Sequence, residues 1–186
     1  MTITLMRHGK SAHPTSGRFS CGEMVAWCIA YDRAGICDQP PASSLQAAQQ
    51  AGILVCSPLP RARASLKALG RQAQEVATLY REAELPVPPL RFPALPPVLW
   101  LVLLRLLWLC GYARQAESYK AACARAARAA DKLADYATQG DVLLVGHGVM
   151  NRLIARELRK RGWQGDKPGR RHWGSVVYRG PGERVR

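Results

Sequence analysis

The chain has 186 residues, 48% of them apolar, which is enough for one domain with a core and excludes an intrinsically disordered chain. Lys and Arg number 27 against 13 Asp and Glu, a formal charge of +14. That balance favours anionic partners such as phosphorylated metabolites, nucleic acid or an acidic membrane face, and equally fits a merely solvated cationic surface. The six cysteines (Cys21, Cys28, Cys37, Cys56, Cys110 and Cys123) are scattered and form no C-x-x-C pair. That pattern argues against a zinc site and for reduced packing residues in a cytoplasmic protein. The first residues run from Met1 through "TITLM" straight into charged residues, unlike a signal peptide.

In chain order, residues 2–6 read as a strand. "SCGE" at 20–23 is a capping-box pattern, and Met24, Trp27, Cys28 and Tyr31 behind it fall at helical spacing, so a first helix runs to about Arg33. Gly35 and "QPPASS" read as a loop. "GILVC" at 52–56 is a buried strand, followed by a helix over "SPLPRARASLKALG" that Ser57 is placed to cap and Gly70 closes. "EVATLY" at 75–80 reads as a further strand. The proline-rich segment 85–97 is irregular, and "PPVLWLVLLRLLWLCGYA" at 96–113 is a helix apolar on all sides, broken by Arg105. A bilayer span needs about 20 apolar residues. This shorter run is expected in a core or in a homodimer face, and a lid is a third use for it. Residues 114–138 form a long helix, "DVLLVG" at 141–146 a buried strand, "HGVMNRLIARELRKRG" a helix, and "WGSVVYR" at 173–179 a last strand. Strands alternating with helices predict an α/β fold, a three-layer α/β/α sandwich with a mostly parallel central sheet.

Ligands of such sheets collect at the carboxyl ends of strands. Three strand ends here carry unusual residues. The first ends in Arg7-His8-Gly9, the second in Cys56-Ser57 leading to Arg61 and Arg63, and "DVLLVG" ends in His147-Gly148. One histidine after a strand is ordinarily a surface or capping residue. Two strand-end His-Gly pairs with flanking arginines describe a phosphate cage, since guanidinium forks bind phosphate oxygens and a helix start adds N–H donors.

"LMRHGKS", "CSPLPRARAS" and "VLLVGHG", in this order, resemble the signature of the histidine phosphatase superfamily, also called phosphoglycerate mutase-like. The resemblance implies a single histidine phosphatase domain over residues 1–186, with a helical and proline-rich insertion at about 84–113. It implies a phosphatase that hydrolyses phosphomonoesters through a phosphohistidine on His8, of the metal-independent histidine acid phosphatase type, without a cofactor. Arg7 and Arg61 would bind phosphate oxygens, with Gly148 beside them, and His147 would stabilise the transferring group. The family's acid follows the third strand, where "LYREAEL" offers Glu82, in the better register, and Glu84. Ser57, Ser11, Lys10 and His13 are further candidates near the pocket, and His172 reads as a surface residue or strand flank.

The chain departs from the family in lacking G-x-x-E-G after this point, where "LPVPPLRFP" stands instead. "KSAHPTS" stands where the mutase branch commonly has an Asn, which favours a phosphatase over a mutase. Three rival readings stay open: a phosphomutase, a phosphoprotein (phosphohistidine) phosphatase, and a non-catalytic anion- or partner-binding member of the fold. The expected partner is a phosphorylated small molecule or phosphoprotein. No nucleic acid and no membrane span are expected, and a homodimer would form through residues 96–113.

Overall fold

The structure, a computed structural model, describes residues 1–181. Five strands form one sheet: β1 (Thr2–Arg7), β2 (Ile53–Cys56), β3 (Glu75–Val76), β4 (Val142–Gly146) and β5 (Ser175–Arg179), in the order β3-β2-β4-β1-β5. Only β5 runs antiparallel, against β1; the other pairings are parallel. The helices are α1 (Met24–Arg33), α2 (Ala42–Gln50), α3 (Pro60–Ala68), α4 (Pro97–Leu109), α5 (Tyr119–Ala137) and α6 (Gly148–Lys160).

Strand side chains alternate between the two faces of the sheet, and the core follows that alternation. Ile3, Leu5, Val55, Val142 and Leu144 pack with α5 and α6 on one face. Met6, Leu54, Cys56, Leu143 and Val145 pack on the other with Ala48 of α2 and Ala62 and Leu66 of α3. The central strands are therefore apolar on both faces, as a sheet covered on both sides requires. This is the expected three-layer arrangement. A third cluster lies apart from the sheet, where Met24 and Trp27 of α1 meet Trp100 and Leu104 of α4.

Four segments differ from the sequence reading. The "QPPASS" loop is interrupted by α2, which buries only Ser44 and Ala48 and so shows no apolar stripe, although Ala, Leu and Gln are good helix formers. The strand expected over 75–80 stops after Val76, and Thr78–Tyr80 forms a 3₁₀ turn that buries the Tyr80 ring. Helix α5 begins at Tyr119, not 114, because Gln115 takes a left-handed φ of 66° and Ser118 caps the helix, accepting from Ala121 N at 3.1 Å. The apolar helix is α4, and only one side of it is buried, through Trp100, Leu104 and Trp108. Arg105 turns inward, donating to the Ala83 carbonyl at 2.9 Å and lying over the Trp108 ring. Among the described residues no helix is long and apolar enough to cross a membrane.

The capping box does form. Ser20 N and Oγ each donate to the Glu23 carboxylate at 2.7 Å.

Candidate active site

The register of the sheet assembles the site. Arg7 of β1 pairs with Gly146 of β4, and Val145 of β4 pairs with Cys56 of β2. Three parallel strands therefore end side by side, and the residues that follow them (His8, His147 and Ser57) converge over one edge of the sheet. All three side chains are buried.

His8 leaves β1 with its backbone N–H donating to the Gly146 carbonyl at 3.0 Å. Its Nδ1 lies 2.6 Å from the Gly9 carbonyl. A carbonyl only accepts, so Nδ1 carries the proton and Nε2 keeps its lone pair. Arg61 Nε donates to that nitrogen at 3.2 Å. Burial above all, and then the Arg61 charge, push the His8 pKa well below the ordinary histidine value, which keeps the imidazole neutral.

Arg61 sits in the first turn of α3, behind Pro60, and is itself buried. Its Nη1 pairs with Asp32 at 2.9 Å, and its guanidinium lies 4.6 Å from the centroid of the Tyr31 ring. Tyr31 stacks in turn on Trp27 of the same helix, and His13 packs edge-on to Trp27. The end of α1 thus fixes the fork that faces His8. Ser65 closes the arrangement from below, accepting from Gly9 N at 2.8 Å and donating to the Arg61 carbonyl at 2.7 Å.

His147 stands at the N-cap position of α6 and is fully buried. Its ring centroid is 5.0 Å from that of His8, and Nε2 meets Ser57 Oγ at 2.7 Å. Nδ1 has no hydrogen-bond partner among the described residues. Burial first, then Arg61 and His8, hold His147 well below its ordinary pKa. Ser57 thus orients His147 and also accepts from Leu59 N at 3.3 Å; the N-cap of α3 is Leu59, not Ser57.

Arg7 donates through Nη1 to the Arg170 carbonyl, while its buried Nε has no partner among the described residues. Burial lowers its pKa. Gly148 opens α6 against this guanidinium, and a Cβ there would lie 3.6 Å from Nε. A buried guanidinium nitrogen with no acceptor, near two neutral imidazoles, suits an incoming oxyanion.

The two candidate acids part company. Both Glu82 oxygens face the start of α6, accepting from Val149 N at 3.1 Å and Met150 N at 2.9 Å, and its charge acts on Arg7. Glu84 is about half exposed, pairs with Arg81 at 3.8 Å and accepts from Glu117 N. Glu82 lies with the cage residues and Glu84 points toward the start of α5. Ser11 is buried but accepts from His13 N and forms an isolated bridge with Ile36. Lys10 N donates to Asp38.

His172 is not a surface residue. Its Nδ1 lies 3.2 Å from the His8 carbonyl and its ring centroid 5.5 Å from that of His8. Residues 170–174 clamp the loop that carries His8, since Trp173 N donates to the Arg7 carbonyl and Arg7 N to the Gly174 carbonyl. This segment explains Gly9 as well: a Cβ there would come within 2.6 Å of both the Trp173 ring and Asp38. No motif marks His172 or Asp32, while Ser65 ends the "CSPLPRARAS" motif without having been singled out in it. The Arg-Arg-His run reads as exposed charge, and the role of α1 depends on where its end lands.

The fold and the convergence of two imidazoles and two guanidinia place a cationic site for an oxyanion at the carboxyl edge of a mostly parallel sheet. Residues 105–175, which include the His147 motif, match the model of the histidine phosphatase superfamily (branch 1). No curated protein sequence matches the chain. Among solved structures, the chain is similar to the protein TTHB049 from Thermus thermophilus, with TM-score 0.59, 19% identity, 95% of this chain covered and 92% of that one. It is also similar to the mycobacterial glucosyl-3-phosphoglycerate phosphatase in complex with VO3 (TM-score 0.55, 21% identity, covering 86% and 82%). A third is a phosphoserine phosphatase mutant from Entamoeba histolytica in complex with phosphoserine (0.57, 15%, 95% and 89%). The family match and the shared fold bear out the resemblance read from the three motifs.

Proposed function

We propose that the chain is a phosphatase that hydrolyses phosphomonoesters through a phosphohistidine on His8. One observation carries the reading. His8 Nδ1 is held by the Gly9 carbonyl, so the Nε2 lone pair faces Arg61 in a buried site. The named functions of two structural relatives, both phosphatases, support it.

In the first step Nε2 attacks phosphorus, an N–P bond forms, and the P–O bond to the substrate alcohol breaks. Arg7, Arg61 and His147 surround the equatorial oxygens and offset their charge. Glu82 enters this step protonated, with one oxygen freed from its backbone N–H, and gives that proton to the leaving oxygen. Water then attacks the phosphoryl group, its proton returns to Glu82, and inorganic phosphate leaves with His8 neutral again. The fold by itself does not set the alcohol.

The test is hydrolysis of an aryl phosphate in EDTA. The wild type is expected to turn over and to trap a phosphoenzyme labile in acid, while His8→Ala does neither. Full activity in His8→Ala would falsify the reading. Glu82→Gln should lose about 10²–10⁴-fold in kcat. Glu84→Gln should stay close to wild type, and the reverse pattern would move the acid to Glu84.

A further inference from the structure

Among the described residues, nothing covers the outer side of α4. Val98, Leu99, Val102, Leu103, Leu106 and Leu109 are each between 40% and 56% exposed. Neighbouring α1, joined to α4 through the Trp27–Trp100 cluster, exposes Val25 and Ile29, and Phe92 before α4 is 84% exposed. A continuous apolar row of this kind is uncommon on a surface that meets only water.

Charge distinguishes between the possible occupants. From Leu85 to Ala116 the chain carries three arginines (Arg91, Arg105 and Arg114) and no carboxylate. Arg105 is turned inward, so the apolar row is flanked by exposed Arg91 at one end and exposed Arg114 at the other. Arg18 joins the first end, donating to the Ala94 carbonyl at 2.8 Å. On α1 Asp32 pairs with Arg61, whereas Glu23, just before the helix, accepts from the neutral Ser20 and keeps its charge. A second copy would bring the same cations and another formal +14 against this face. An anionic bilayer supplies acyl chains for the leucines and headgroup charge for the arginines. At 13 residues, α4 is about 20 Å long, which suits lying in the interface and not crossing it.

We propose that the exposed face of α4, with Phe92 and the flanking Arg18, Arg91 and Arg114, docks the protein on an anionic lipid surface. Binding draws on apolar burial and on electrostatic attraction, so it weakens in salt and on neutral lipid. The proposal does not rest on the phosphatase reading. Because α1 also holds Arg61, the docking face and the phosphate site share one structural wall.

The test is co-sedimentation of the purified chain with vesicles of phosphatidylglycerol mixed into phosphatidylcholine, against vesicles of phosphatidylcholine alone. Binding to the anionic vesicles at least about tenfold tighter, and reversed by salt, is the expected result. Leu106→Asp and, separately, Val102→Asp should each lower that binding about tenfold or more while leaving the melting temperature and aryl phosphate hydrolysis at wild-type levels. Arg91→Glu with Arg114→Glu should lower it comparably. Equal binding to neutral vesicles, or no binding by the native chain, overturns the proposal. So does a dimer in sedimentation equilibrium that Leu106→Asp dissociates without any vesicle binding, which would assign the face to a second copy.

Discussion

His8 keeps the lone pair on Nε2 because of what holds the other side of its ring. The Gly9 carbonyl fixes the tautomer, and His172 in turn holds the His8 carbonyl. In the proposed mechanism the second bond makes His172 a positioning residue, since it touches the main chain of the loop that carries His8. His172→Ala should lower kcat about ten- to a hundredfold, as small misplacements of a nucleophile do. His172→Asn, whose amide can donate to the same carbonyl, should recover part of that loss, as steady-state kinetics on an aryl phosphate will show.

At the scale of elements, β4 and α6 bring the most to the site. Gly146 ends β4 where Asn151 of α6 folds back to donate to the Met6 carbonyl at 3.0 Å. A Cβ on Gly146 would lie 2.5 Å from Asn151 Oδ1. Gly146→Ala is therefore expected to expel that side chain, leave the buried Met6 carbonyl short of a donor, and cost about 1–3 kcal/mol in urea denaturation. Glu82 acts on the same junction from outside the sheet, joining the turn after β3 to the first N–H groups of α6. The carboxylate proposed as the acid is thus also a helix cap, and Glu82→Gln, which keeps an acceptor oxygen, separates the two roles better than Glu82→Ala.

The whole molecule feels the buried imidazoles through pH. His8 and His147 have folded pKa values well below the ordinary histidine value of 6.5, by burial first and Arg61 second, and His172 is lowered by burial and Arg7. As pH falls below about 6.5, the unfolded chain takes up protons that the folded chain refuses. The stability these groups contribute is therefore full above about 6.5 and is lost as pH falls toward the lowered folded values. Melting temperature should drop between pH about 7.5 and about 5.5 by more in the wild type than in His172→Ala, which removes one of the three groups.

The sequence by itself determined the strand-end chemistry. Arg7-His8-Gly9, Arg61 and His147-Gly148 each follow a short apolar run, and local pattern is enough to place a residue at the end of a strand. It also determined the layered α/β class, because fully apolar strands alternating with helices leave few other ways to bury both faces of a sheet. Only the tertiary structure decided which strands are neighbours, and so that β2, β4 and β1 end side by side around one point. It separated Glu82 from Glu84, two positions apart in sequence, by the contacts each reaches. It brought His172 and Asp32 to the cage from two distant segments that no local signal marks. The same holds for α4. Its composition reads as a helix apolar on all sides, yet only packing against α1 could decide that one side is covered and the other left open.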